Sequence, residues 1–105
     1  MVIARTWTGR TKAEDAEAYT KVVLDTGIVD LKATPGNRGT LLLRRTDAEE
    51  AEFVLISLWD SLESIKAFAG EEVDLARYYP EDDPYLLEKA EKVVHYDVVS
   101  GFKAE

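Results

Sequence analysis

The 105 residues include no cysteine, one histidine (His95), one asparagine (Asn37) and three prolines. Without cysteine there is no disulfide, no thiolate nucleophile and no cysteine–zinc site. A single histidine with no cysteine leaves too few ligands for a tightly bound transition metal, so no metal is expected. A glycine-rich phosphate loop and a serine elbow are also missing. No apolar run approaches the roughly 20 residues that span a bilayer. Met1-Val2-Ile3-Ala4-Arg5 lacks the basic segment and apolar stretch of a signal peptide. A cytosolic chain with no membrane partner is expected. Positive charge is scarce as well: 13 basic side chains stand against 21 acidic ones, a net charge of −8. Residues 1–46 carry 8 basic and 5 acidic side chains, and residues 47–105 carry 5 and 16. So acidic a chain repels phosphate backbones, and nucleic acid is excluded as a partner.

What is present reads as one globular domain over 1–105. Hydrophobic residues make up 46% of the sequence and charged ones 32%, which separates it from disordered and membrane chains. Val2–Thr8, rich in β-branched residues and followed by Gly9, predicts a first strand. Thr11 with Glu14 has capping-box spacing, and Ala16, Tyr19, Val22 and Val23 give the following helix an apolar stripe. Gly27 ends or kinks that helix, a shorter turn runs through Leu31, and Thr34-Pro35-Gly36-Asn37 is a turn. Thr40–Arg45 and Glu52–Trp59 form a hairpin. Asp60 caps a second helix carrying Leu62, Ile65, Phe68 and Ala69 on one side, and Gly70 stops it. Residues 71–83 are acidic and irregular, with one helical turn over Leu75–Tyr79. Asp83-Pro84 starts a short helix through Lys89, and Val93–Val99 is the last strand.

The order β-α-β-β-α-β is ferredoxin-like, an α+β fold with four antiparallel strands and two helices on one face. Such a sheet ordinarily shows polar residues on its free face. Leu41-Leu42-Leu43, Phe53-Val54-Leu55-Ile56 and Val93-Val94 are instead apolar on both. A second copy of the same sheet is the simplest cover, which makes the predicted assembly a homodimeric α+β barrel.

Thr34-Pro35-Gly36 before the second strand, Trp59-Asp60-Ser61-Leu62-Glu63-Ser64-Ile65 across the strand–helix junction, and the closing Val94-His95-Tyr96-Asp97-Val98 resemble the antibiotic biosynthesis monooxygenase (ABM) group of the dimeric α+β barrel superfamily. The resemblance runs nearly the whole chain in order and spacing. It implies a cofactor-independent monooxygenase whose substrate, a phenolic or anthrone-like aromatic, itself reduces oxygen. Phe68 stands where many members carry a histidine. The only asparagine, Asn37, lies in a turn, which sets haem degradation aside.

Strand parity gathers the candidate site residues independently. If Val54, Ile56 and Leu58 face the helices, then Phe53, Leu55, Ser57 and Trp59 face the barrel. Ile3, Arg5 and Trp7 of strand one and Val93, His95 and Asp97 of strand four share that side. Apolar walls with a few convergent polar groups are the usual character of a small-molecule pocket. His95 titrates nearest neutrality and is the candidate base. Arg5 is the candidate anion partner, or else pairs with Asp97. Trp7 and Trp59 would stack on the ring with Ser57 and Phe53 beside them, and Tyr78 and Tyr79 would form a lid. The acidic run Glu81-Asp82-Asp83 reads as solvated surface and helix cap. Non-catalytic binding of a hydrophobic molecule and a purely structural dimer stay open, since fold alone does not choose among these functions.

Overall fold

The computed structural model describes residues 2–101, so the two ends of the predicted 1–105 span lie outside the described residues. The elements are β1 (Ile3–Lys12), α1 (Ala16–Asp25), α2 (Gly27–Ala33), β2 (Asn37–Thr46), β3 (Glu50–Trp59), α3 (Leu62–Ala69) and β4 (Val94–Asp97). Short 3-10 turns occupy Ala13–Asp15 and Pro80–Asp82. The strands form one antiparallel sheet in the order β2-β3-β1-β4. This is the ferredoxin-like α+β arrangement, with its first helix divided at Thr26. There the backbone leaves helical geometry, and the Thr26 hydroxyl donates to the Val22 carbonyl at 2.7 Å.

β1 runs past Gly9 because β3 pairs with it from Ile3↔Trp59 to Lys12↔Glu50. Thr11 is therefore a fully buried strand residue, its hydroxyl donating to the Lys12 carbonyl, and it does not cap a helix. Gly9 has a role other than ending the strand. The Trp7 indole lies across it, where an added Cβ would overlap the ring and sit 3.2 Å from Leu86 Cδ2, and strand glycines mark such close approaches. Gly9→Ala is expected to cost about 1–3 kcal/mol through overpacking, lowering Tm by roughly 4–8 °C per kcal/mol in a domain of this size. Thermal unfolding of the single and double variants checks this: with Trp7→Leu the penalty should shrink, since the overlap is with that ring.

The two motifs flanking β2 and α3 meet. Gly36 turns with φ +93°, and a Cβ there would overlap the Ser64 side chain. Its carbonyl accepts from the Asp60 amide at 2.9 Å. The α3 N-cap is Ser61, whose Oγ accepts from the Ser64 amide at 3.2 Å. Asp60, expected in that role, instead pairs with Arg38 at 2.8 Å.

Residues 70–93 form a strap without the predicted helices at 75–79 and 83–89. Pro80 opens only the 3-10 turn. Backbone bonds elsewhere hold the segment extended: Ala76 N to Glu91 O, Val93 N to Asp74 O, and Leu87 N to Arg10 O, at 2.8–2.9 Å. β4 is correspondingly shorter than Val93–Val99.

The core fixes which sheet face the helices cover, and it reverses the expected phase. Arg5, Trp7, Phe53, Leu55, Ser57 and Trp59 do share one face. That face lies under the helices: the Tyr19 ring of α1 meets Phe53 edge-on at 5.1 Å, and Trp59 lies 6.1 Å from Phe68 of α3. The large aromatics fill the sheet–helix gap, each contributing roughly 1.5–3 kcal/mol by burial. The opposite face carries Thr6, Val54, Ile56, Leu41, Leu43, Val94 and Tyr96, the last four 46–57% exposed. Both faces are apolar, so alternation alone held no information about phase.

Candidate functional site

An open cleft lies between the helix-covered sheet face, α1, α2 and the strap. Arg5, Trp7, Leu55 and Ser57 form its sheet side. Tyr19, Val23, Gly27 and Leu31 come from the helices, and Phe68, Arg77, Tyr78, Tyr79 and Asp82 close it. Five of the expected site residues therefore converge here: Arg5, Trp7, Ser57, Tyr78 and Tyr79.

Arg5 is 4% exposed. Its Nη1 donates to the Val73 carbonyl at 2.5 Å and its Nη2 to the Leu75 carbonyl at 2.9 Å. Asp97 is not its partner; that residue is exposed and sits across from Ile3. Among the described residues no carboxylate makes an ion pair with Arg5. Burial lowers the Arg5 pKa to about 10, with the Asp74 charge opposing, so the group remains a cation at neutral pH. A buried guanidinium compensated mainly by carbonyl oxygens leaves a field to which an anion is complementary.

His95 sits behind Arg5 and does not line the cleft. Its Nδ1 lies 3.2 Å from Asp74 and its Nε2 3.4 Å from Arg5 Nη1. These neighbours assign the proton of the neutral ring to Nδ1, facing the carboxylate, and leave the Nε2 lone pair toward the guanidinium. Burial and then the Arg5 charge lower the His95 pKa, with Asp74 opposing. The ring is neutral at pH 7.

Trp7 Nε1 donates to the Tyr78 hydroxyl at 3.1 Å, which donates onward to the Ala90 carbonyl at 2.6 Å. Tyr79 donates to Asp30 at 2.6 Å, and burial pushes its phenol pKa up. Arg77 reaches the same Asp30 oxygen at 3.1 Å while stacked against Phe68 and Tyr79. Phe53 and Trp59 are fully buried in the core and stand apart from the cleft. Trp59 supports it from below, its Nε1 donating to Ser57 Oγ at 2.8 Å.

Sequence reasoning missed Tyr19 and Asp82. The Tyr19 hydroxyl donates to Asp82 Oδ1 at 3.1 Å. Asp82 is 4% exposed, while Glu81 and Asp83 beside it are exposed as expected of a solvated run. No cluster of three metal-ligating side chains occurs among the described residues. No helix there is long and apolar enough to cross a membrane.

The family model for antibiotic biosynthesis monooxygenases matches residues 2–73. A crystal structure from Bacillus cereus, provisionally assigned as an antibiotic biosynthesis monooxygenase, aligns with a TM-score of 0.67 and 19% identity over 98% of each chain. None of the curated proteins is matched by the sequence. The family match takes in Arg5, Trp7, Tyr19, Ser57 and Phe68, and stops before the part of the strap that carries Arg77 to Asp82.

Proposed function

Because the chain belongs to the antibiotic biosynthesis monooxygenase family, we propose that its cleft takes a flat phenolic or anthrone-like aromatic and oxidises it with dioxygen, without a bound cofactor, in a cytosolic homodimer. The observation that carries this reading is Arg5: a buried cation with no carboxylate partner among the described residues, facing a cleft walled by Trp7, Phe68 and Tyr78. That setting favours a ring bearing a phenolate, enolate or carboxylate oxygen. The dimer is supported by the apolar open face of the sheet, which a lone chain leaves in water.

For an anthrone-like substrate, removal of one proton from the ring methylene gives a carbanion whose charge spreads to the oxygen held by Arg5. The carbanion passes its electron pair to dioxygen in two one-electron steps and, with a proton, becomes the hydroperoxide. Loss of water leaves the ketone. One oxygen atom enters the product, the other leaves as water, and all four electrons come from the substrate. His95 is the base of this reading. Asp74 holds its Nδ1 proton, and a bound anion that draws Arg5 into the cleft frees Nε2.

Oxygen uptake with a panel of anthrones and hydroquinones tests the proposal, with one dioxygen expected per anthraquinone formed from an anthrone. Since burial and Arg5 lower the His95 pKa, the base form persists to lower pH than in a free imidazole, and the acid-side fall in kcat/KM should be displaced downward accordingly. His95→Ala should reduce turnover roughly 100-fold, the range for a lost general base. Full activity in that variant removes His95 from the role. One observation favours a second reading, ligand binding without turnover: His95 does not line the cleft. Saturable binding of aromatics with no oxygen uptake would select it.

A further inference from the structure

Asp82 is the one carboxylate lining the cleft among the described residues, and it is 4% exposed. Both of its oxygens have neutral donors: Oδ1 accepts from the Tyr19 hydroxyl at 3.1 Å, and Oδ2 from the Tyr79 amide at 2.8 Å. Among the described residues no cation pairs with it; the neighbouring Lys89 bonds to Asp83. A carboxylate offers about four acceptor positions, so two donors leave capacity for another. Burial makes an additional donor favourable and a second negative charge costly.

Asp82 and Arg5 belong to different parts of the cleft. Arg5 stands opposite Ser57 in the β1–β3 ladder. Tyr19, which holds Asp82, packs on Phe53, four residues away along β3. That offset corresponds to roughly 13 Å of strand backbone, so the two groups are anchored at separate positions along the sheet. Arg5 therefore marks one part of the cleft and Asp82 another, with Trp7 and Leu55 between them along β1 and β3, while the second guanidinium in the lining, Arg77, is already paired with Asp30.

We propose that Asp82, held by Tyr19 and the Tyr79 amide, forms a second recognition pole that selects fused-ring aromatic acids carrying a hydroxyl at the end remote from the acidic group. The inference rests on the reading that Arg5 takes an aromatic anion. It adds a requirement at the other end of the ligand: a hydroxyl there donates to Asp82, whereas a second carboxylate meets like charge in a dry setting. The strap thus supplies a specificity element lying beyond the segment matched by the family model.

The test is calorimetric titration of the whole protein with 2-naphthoate, 6-hydroxy-2-naphthoate and naphthalene-2,6-dicarboxylate. Wild type should bind the hydroxy acid about 10-fold or more tightly than 2-naphthoate, the gain expected of a hydrogen bond to a charged group. The dicarboxylate should bind more weakly than 2-naphthoate. In Asp82→Asn the hydroxyl advantage should fall below about 3-fold and the dicarboxylate penalty should fade, each read as a ratio to 2-naphthoate binding by the same variant. Tyr19→Phe keeps the carboxylate and should keep the hydroxyl preference, which guards against a fold defect in the asparagine variant. Equal binding of 2-naphthoate and its hydroxy analogue by wild type, or a hydroxyl advantage that survives Asp82→Asn, overturns the inference while leaving the aromatic-acid reading intact. Failure of every naphthoate to bind wild type overturns both.

Discussion

Ile56→Asp is expected to abolish the proposed homodimer. Ile56 lies centrally on the open sheet face, opposite Thr6 in β1 and Leu41 in β2. Around it are Leu43, Val54, Val94 and Tyr96, a surface too apolar for one chain to leave in water. In a twofold assembly the substitution places two unpaired carboxylates in one interface, each costing several kcal/mol to desolvate. The dimer dissociation constant should rise by roughly 1,000-fold or more, since each 1.4 kcal/mol is a factor of ten. Sedimentation at low micromolar concentration should show wild type at twice the chain mass and the variant at one chain mass or unfolded. A wild-type monomer with a cooperative unfolding transition would eliminate the dimer, and an Ile56→Asp dimer would move the interface elsewhere. Leu55→Asp makes a useful contrast. Its charge enters the helix-covered side and should destabilise the fold itself.

Arg5→Met should remove the preference for anionic ligands. Methionine fills much of the same volume without charge, so the cleft wall survives while the cation is lost. Truncating one partner of a buried charge pair costs about 2–5 kcal/mol, and binding of 2-naphthoate should weaken by roughly 30-fold or more. Neutral 2-naphthol should bind within a few-fold of wild type. Arg5→Lys should not restore acid binding fully, because one ammonium lacks the planar fork that reaches the Val73 and Leu75 carbonyls together. Unchanged naphthoate affinity in Arg5→Met would show that the guanidinium serves only to tie the strap to β1. Circular dichroism separates that outcome from general unfolding.

The order of elements was legible because local signals carry it: β-branched runs for β1 and β3, the Thr34-Pro35-Gly36 turn, and the apolar stripe from Ala16 to Val23. Parity also grouped Arg5, Trp7, Ser57 and Trp59 correctly. It did not say which side the helices occupy, since Val54 and Ile56 are as apolar as Phe53 and Leu55. Side-chain volume held a partial clue: Ala4 and Thr6 leave a sheet–helix gap unfilled, whereas Phe53 and Trp59 fill it. The cleft's far end was invisible for a different reason. Nothing within Glu81-Asp82-Asp83 marks the middle carboxylate as buried, because its phenol donor is 63 residues away. The helices expected in the strap failed similarly, where distant backbone partners outweighed the start signal at Asp83-Pro84.

The strap's attachments also order events in time. Arg5 and Leu75 are 70 residues apart, Trp7 and Tyr78 are 71, and Tyr19 and Asp82 are 63. The β2–β3 hairpin closes a far shorter loop, so the sheet can assemble before the cleft has a roof. The same attachments bear on ligand traffic. Should a ligand pass beneath the strap, the bonds to Arg5, Trp7, Tyr19 and Asp30 must yield together, and a ligand bridging Arg5 and Asp82 would fasten the segment that covers it.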